Sequence, residues 1–293
     1  MNFTSLSTGS PLSKLPLDPI NTTSSGEYYT YTPGGSYELT SSMESSKYKM
    51  GGSNDSVSKD GGPYPDLHEI GSDLALLPVD YGDPSLVGYW KLNEGTGATI
   101  YDASGHGHTG TFNGSVTWQS GSNCEEGNCI YLDGSSYNNY ILCGSSSMIT
   151  SPAYTIAGFV NIPSSASSTA HRSLVSLGNS LPEFDPSYSN TSRSLIYLNG
   201  GNYRYGATDI RGNWIYMAAV VTGNNTNDIL NSAIYINGKM DTVYATTYSQ
   251  PPLFPNGSCE IGSGSFIGSI NDVRIYNRAL SAAEVQALYN AEK

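Results

Sequence analysis

The sequence predicts a mainly β chain: an antiparallel β-sandwich with one short C-terminal helix and a small β-rich extension at its N-terminus. Composition is the first reason. Of 293 residues only 13% are charged and 38% hydrophobic, with Gly, Ser, Thr, Asn and Tyr filling the remainder, whereas long helices need the Ala, Leu, Glu and Lys that are scarce. The second is texture. From Val87 onward short apolar runs recur between turn residues, several with period two, as in half-buried antiparallel strands. The third is Asn237-Gly238 between two such runs, a type I′ hairpin signal because both residues accept positive φ.

Taken in order, residues 1–85 are rich in Ser, Gly, Pro, Tyr and Asp and offer only short candidate strands, Glu27–Tyr31 and Ser36–Thr40. Such a stretch buries little core by itself. Residues 86–293 carry the sandwich, with candidate strands at Val87–Leu92, Cys129–Leu132, Tyr154–Val160, Ser194–Leu198, Trp214–Val221 and Ala233–Ile236. The hairpin pairs Ala233–Ile236 with Met240–Tyr244. The chain then closes on a helix: Ser281 with Glu284 three residues later is a capping box, and Val285, Leu288 and Tyr289 share one helical face.

Two stretches resemble known families. Gly88-Tyr89-Trp90-Lys91-Leu92-Asn93-Glu94-Gly95-Thr96-Gly97, then Asp102-Ala103-Ser104-Gly105, Gly110 and the internal Tyr131-Leu132-Asp133-Gly134, resemble the opening and middle of laminin G-like, concanavalin A-like jelly-roll domains. The run from Phe266 to Ser281, with Glu284 after it, is similar to the last strand and C-terminal helix of that family, so the resemblance covers about 86–292. Upstream, Leu15-Pro16-Leu17-Asp18-Pro19, the Tyr-rich strand, Tyr37–Ser45, Asp60-Gly61-Gly62 and Glu69–Leu74 resemble the C-terminal half of type IV pilin-like proteins and pseudopilins over about 10–78. That family opens with a long apolar helix, which nothing here matches; the resemblance then implies a soluble part of such a subunit.

Charge narrows the partners. With 13 basic and 25 acidic residues the net charge is −12, so the overall field repels nucleic acid and anionic bilayers. It suits solubility outside a cell, a multivalent cation, or a neutral glycan. The start Met1–Ser5 lacks the charged and apolar segments of an export signal, and no run of 18 apolar residues occurs. Cys124 and Cys129 can close a tight loop, leaving Cys143 and Cys259 for a long-range staple; four reduced thiols would instead fit a cytosolic protein.

Among candidate sites, the jelly-roll resemblance implies a structural calcium ion where first and last strands meet, with Asp272, Asp102 and Glu94 as oxygen ligands; the alternative is solvated turn carboxylates. Asp133 before Gly134 reads as a turn residue capping its own backbone. Gly105–Gly110 matches GxGxxG without the following helix that would bind a pyrophosphate. His106 and His108 lack a nearby third metal ligand. No spaced carboxylate motif or nucleophile elbow appears, so the expectation is a protein that is not an enzyme. Trp90 and Trp214 lie within strand patterns and read as core, whereas Trp118, Tyr137, Tyr140 and Tyr188, with Tyr203 and Tyr205, are the aromatic residues open for stacking on sugars. The resulting expectation is an extracellular, cell-surface or pilus-associated adhesion or carbohydrate-binding protein, with a structural filament subunit as the alternative and a polysaccharide-active enzyme behind it.

Overall fold

The computed structural model describes residues 29–33, 37–42, 47, 53–54, 67–71, 83–125, 127–166, 172–178, 183–185, 193–197, 203–223, 231–241, 244–246 and 257–291. The chain divides into two compact units, Met1–Asp83 and Pro84–Lys293. In the first, β1 (Tyr29–Pro33), β2 (Tyr37–Ser42) and β3 (Leu67–Gly71) form an antiparallel meander with β2 in the middle. Both strands expected there are present, each within about two residues of its expected bounds.

The second unit is the predicted antiparallel sandwich. Its first sheet, sheet I, runs β17 (Lys239–Met240), β16 (Ala233–Ile236), β15 (Trp214–Val221), β10 (Tyr154–Asn161), β20 (Ile267–Tyr276), β8 (Asn128–Asp133) and β7 (Val116–Ser120), with β4 (Leu86–Trp90) also paired to β20. Sheet II runs β18 (Tyr244–Thr246), β14 (Tyr203–Asp209), β13 (Arg193–Tyr197), β12 (Glu183–Asp185), β11 (Ser173–Leu177), β19 (Ser258–Ser263), β9 (Tyr140–Ser145), β6 (Gly110–Asn113) and β5 (Thr99–Ile100).

Alternation decides what each sheet buries. On β8, Ile130 and Leu132 are fully buried while Tyr131 between them is half-exposed; on β20, Ile270, Val273 and Ile275 join the core. Trp90 sits at 0% exposure, its indole N–H donating to the His108 carbonyl at 2.7 Å. A Cβ on Gly88 would collide with that indole ring, which explains the glycine two residues earlier.

Two disulfides join Cys124 to Cys129 and Cys143 to Cys259, and no described cysteine is free. The second ties β9 to its neighbour β19 inside sheet II. Asn237 and Gly238 adopt φ of 50° and 75°, the expected I′ turn. Helix α1 (Ala282–Ala291) follows the expected capping box: the Ser281 N–H donates to Glu284 Oε2 at 2.6 Å and the Glu284 N–H donates to Ser281 Oγ at 3.3 Å. Its Tyr289 ring lies 6.1 Å from Tyr216 on β15, so the helix covers the β15 end of the outer face of sheet I. The β20, β8 and β7 end of that face carries the candidate site.

Candidate functional site

The outer face of sheet I is polar where the helix does not cover it, because outward positions on β20 and β8 carry Asn271, Ser269 and Tyr131. A pocket of about 340 Å³ opens there. Its floor is four buried side chains, Tyr89, Phe159, Asn271 and Asp272, and its walls include Lys91, Asn93, Glu125 and Asn128.

Local backbone geometry builds this pocket. Asp272 holds φ at 53° where the register of β20 against β10 shifts, and Leu92, just past β4, holds φ at 58°. Non-glycine residues rarely occupy this left-handed region, and bulges re-aim side chains beside functional sites. The two strained residues are neighbours across the strand pair, since the Asp272 N–H donates to the Lys91 carbonyl at 3.2 Å.

Asp272 pairs with Arg274 at 3.3 Å, and Arg274, 1% exposed, donates to the Tyr89 hydroxyl at 2.7 Å with its guanidinium carbon 4.2 Å from that ring's centroid. The floor is thus a buried cation holding an aromatic ring and a carboxylate in place. Amides brace the walls: Asn271 Nδ2 donates to the Asn128 carbonyl at 3.2 Å, and Asn128 Nδ2 to the Asn93 carbonyl at 3.1 Å. Hydroxyl-bearing ligands find donors, acceptors and a ring edge together here.

The three carboxylates expected to hold calcium fall in different settings. Asp102 accepts three backbone N–H groups, from Tyr89 at 3.0 Å and Ser104 at 2.9 Å on Oδ1 and from His108 at 2.8 Å on Oδ2. Burial works to raise its pKa, but hydrogen bonds from Ser104, Tyr89 and His108 together outweigh it and hold the carboxyl below the usual value. Its oxygens pin the 102–108 loop. Asp272 is paired with Arg274. Glu94 Oε1 accepts the Tyr101 N–H at 2.8 Å, while Oε2 is buried without a hydrogen-bond partner. Among the described residues no three His, Cys, Asp or Glu side chains gather as a metal set; of the three carboxylates, Glu94 has an oxygen with neither a hydrogen bond nor an ion pair.

Aromatic expectations also sort. Trp118 is half-buried, its ring 5.6 Å from Phe112 and its N–H donating to the Gly97 carbonyl at 2.8 Å, so packing accounts for it. Tyr137 is 69% exposed on the loop before Tyr140, which starts β9. Tyr203 and Tyr205 belong to β14 and not to a loop. Tyr188 lies outside the described residues. Asp133 caps its turn as expected, Oδ1 accepting the Ser135 N–H at 2.9 Å and Oγ–H at 2.6 Å. Sequence reasoning missed Lys91, Asn93, Glu125, Asn128 and Asn271; the period-two outward positions of β20 were the one signal that could have found the last of them.

Two antiparallel sheets over one apolar core make this an all-β sandwich protein with a polar pocket on one sheet face. The chain belongs to the concanavalin A-like lectin/glucanases superfamily, whose family model matches residues 133–286, just over half of its length. Among solved structures, domain 4 of an extracellular arabinanase from Geobacillus stearothermophilus, in complex with arabinotriose, is 19% identical with a TM-score of 0.53, over 70% of this chain and 98% of that one. A Trypanosoma rangeli sialidase with 2,3-difluorosialic acid is 13% identical with a TM-score of 0.49, over 70% of this chain and 32% of that one. The botulinum neurotoxin type G receptor binding domain is 14% identical with a TM-score of 0.47, over 71% of this chain and 51% of that one. The likeness to the arabinanase domain is one of fold. Comparison with curated proteins finds no match.

Proposed function

We propose that the chain is an extracellular glycan-binding protein that holds its ligand in the pocket between β4, β10, β20 and the 125–128 loop without turning it over. The observation that carries this reading is the pocket lining: three asparagine amides, one ammonium and two carboxylates around a Tyr89 and Phe159 floor. Sugars pair with such groups through their hydroxyls and stack their apolar faces on rings. The arabinanase domain of the same fold was solved with arabinotriose, which supports a sugar ligand for this architecture. Asp272 is committed to Arg274, which argues against its serving as one of two free catalytic carboxylates.

Two disulfides support an oxidising, extracellular setting. Among the described residues no helix is long and apolar enough to cross a membrane. Display on a pilus or filament is part of the proposal, resting on the sequence likeness of residues 10–78 alone. If calcium is held, Glu94 is the carboxylate that supplies an oxygen, and added calcium should raise the melting temperature relative to EDTA; equal melting points would remove calcium from the proposal.

A glycan array probed with the whole chain tests the main reading. Saturable binding that drops about tenfold or more in Asn271→Ala is expected. Absence of binding across the array, or release of shortened product from a bound polysaccharide, would overturn it.

A further inference from the structure

A second hollow, about 350 Å³, opens on the same face of sheet I. Strand β10 places Phe159 in the first pocket and Asn161 in the second; β20 likewise places Asn271 in the first and Ser269 in the second. These four form two successive same-face pairs, Phe159 opposite Asn271 and Asn161 opposite Ser269. One such step along a strand is about 6.6–6.8 Å, comparable to the length one sugar ring adds to an extended chain.

One loop walls both hollows. The Cys124–Cys129 disulfide staples it, with Ser122 and Asn123 just before the bridge lining the second pocket and Glu125 and Asn128 inside the bridge lining the first. Gly268 on β20 lines the second hollow with φ at 138°, and a Cβ there would strike the Asn161 carbonyl. Across sheet I, Tyr131, Ser269, Asn161 and Trp214 stand in one register row. The Trp214 indole N–H at the end of that row is buried with no hydrogen-bond partner, and Trp214 does not line the hollow itself.

Charge selects the ligand further. Among the described residues no charged side chain lines the second hollow, while at the first Lys91 stands against Glu125, Asp272 is paired with Arg274, and the chain carries −12 overall. Uronate or sulfate groups would find no cation at the second hollow and would approach against the negative field of the whole chain.

We infer that the two hollows are successive subsites of one cleft, divided by the disulfide-closed loop, that takes an unbranched, uncharged oligosaccharide of two or more rings. This rests on the glycan-binding reading above.

Calorimetric titration of the whole chain with linear β-1,4-xylose, β-1,4-glucose and α-1,5-arabinose oligomers of one to five rings, alongside oligogalacturonate, tests it. In at least one neutral series affinity should rise about tenfold between one ring and three and then level off. Tyr131→Ala and Asn161→Ala should collapse the ratio of trisaccharide to monosaccharide affinity, while Asn271→Ala weakens every length and Tyr137→Ala changes nothing. A monosaccharide bound as tightly as its trimer, with Tyr131→Ala and Asn161→Ala silent, overturns the two-subsite cleft and leaves glycan binding standing. Tighter binding of oligogalacturonate overturns the charge selection. No binding in any series sinks the glycan reading and this inference together.

Discussion

Arg274 shows how a single side chain can organise a site. It is buried on the outer face of the sheet, yet it reaches the Tyr89 hydroxyl, the Tyr89 ring and the Asp272 carboxylate at once. Truncating one member of a buried charge pair leaves the other uncompensated. Arg274→Ala should therefore cost about 3–5 kcal/mol in urea unfolding, with the tyrosine fluorescence of the pocket altered; a loss within error of zero would show the cluster to be ornamental. Asp102 makes a different prediction. Its folded pKa is depressed, so it contributes stability above the ordinary aspartate value near 3.8 and loses it as pH falls through the lower folded value. Melting temperature measured from pH 5 down to 2.5 should fall more steeply in the native chain than in Asp102→Asn. At this scale the sequence pointed to Asp272, Asp102 and Glu94 as notable carboxylates but not to what each does. An aspartate with φ of 53° looks like any other aspartate in a strand, and a cation that will be buried beneath it is an ordinary outward arginine until the sheets pack.

At the scale of elements, local rules were readable wherever they are chemically specific. The Asn-Gly hairpin, the Ser281/Glu284 capping box and the apolar runs of β8, β10, β15 and β16 all appear as expected, because turn φ values, cap hydrogen bonds and period-two burial depend on near neighbours. Glu284 does more than cap: it also pairs with Arg278 at 2.8 Å while 3% exposed, joining helix α1 to the end of the strand before it. Ser281→Ala should lower stability by about 1 kcal/mol, with faster hydrogen exchange confined to α1, whereas Glu284→Ala should cost more because it strands a partly buried guanidinium. Equal effects of the two would show the ion pair to be inert. Strands β7, β9 and β19 were harder to read. Each mixes glycine, serine or glutamine among few apolar residues, and each is held by its partners in the sheet more than by its own pattern. Trp118 reads as exposed for the same reason, since only the placement of β7 beside β8 brings its ring to Phe112 and the core.

For the whole molecule, the two compact units predict that residues 84–293 fold without the first 83. Expressed alone in oxidised form they should melt cooperatively within a few degrees of the full chain, and a broad non-cooperative transition would contradict the division. Replacing Cys143 and Cys259 by Ser should cost about 2–5 kcal/mol, because that disulfide closes a loop with a sequence separation of 116, and little should change at the pocket it does not touch. By itself the sequence determined the sandwich, the hairpin and the final helix, all consequences of composition, periodicity and local spacing, while the cysteine pairing it left open is settled by the structure. Only the tertiary structure decided where a ligand could sit. The pocket draws Tyr89, Glu125 with Asn128, Phe159 and Asn271 from four separate stretches of chain, and no local rule predicts which outward faces of distant strands will stand side by side, because register across a sheet is set by the packing of the core beneath it.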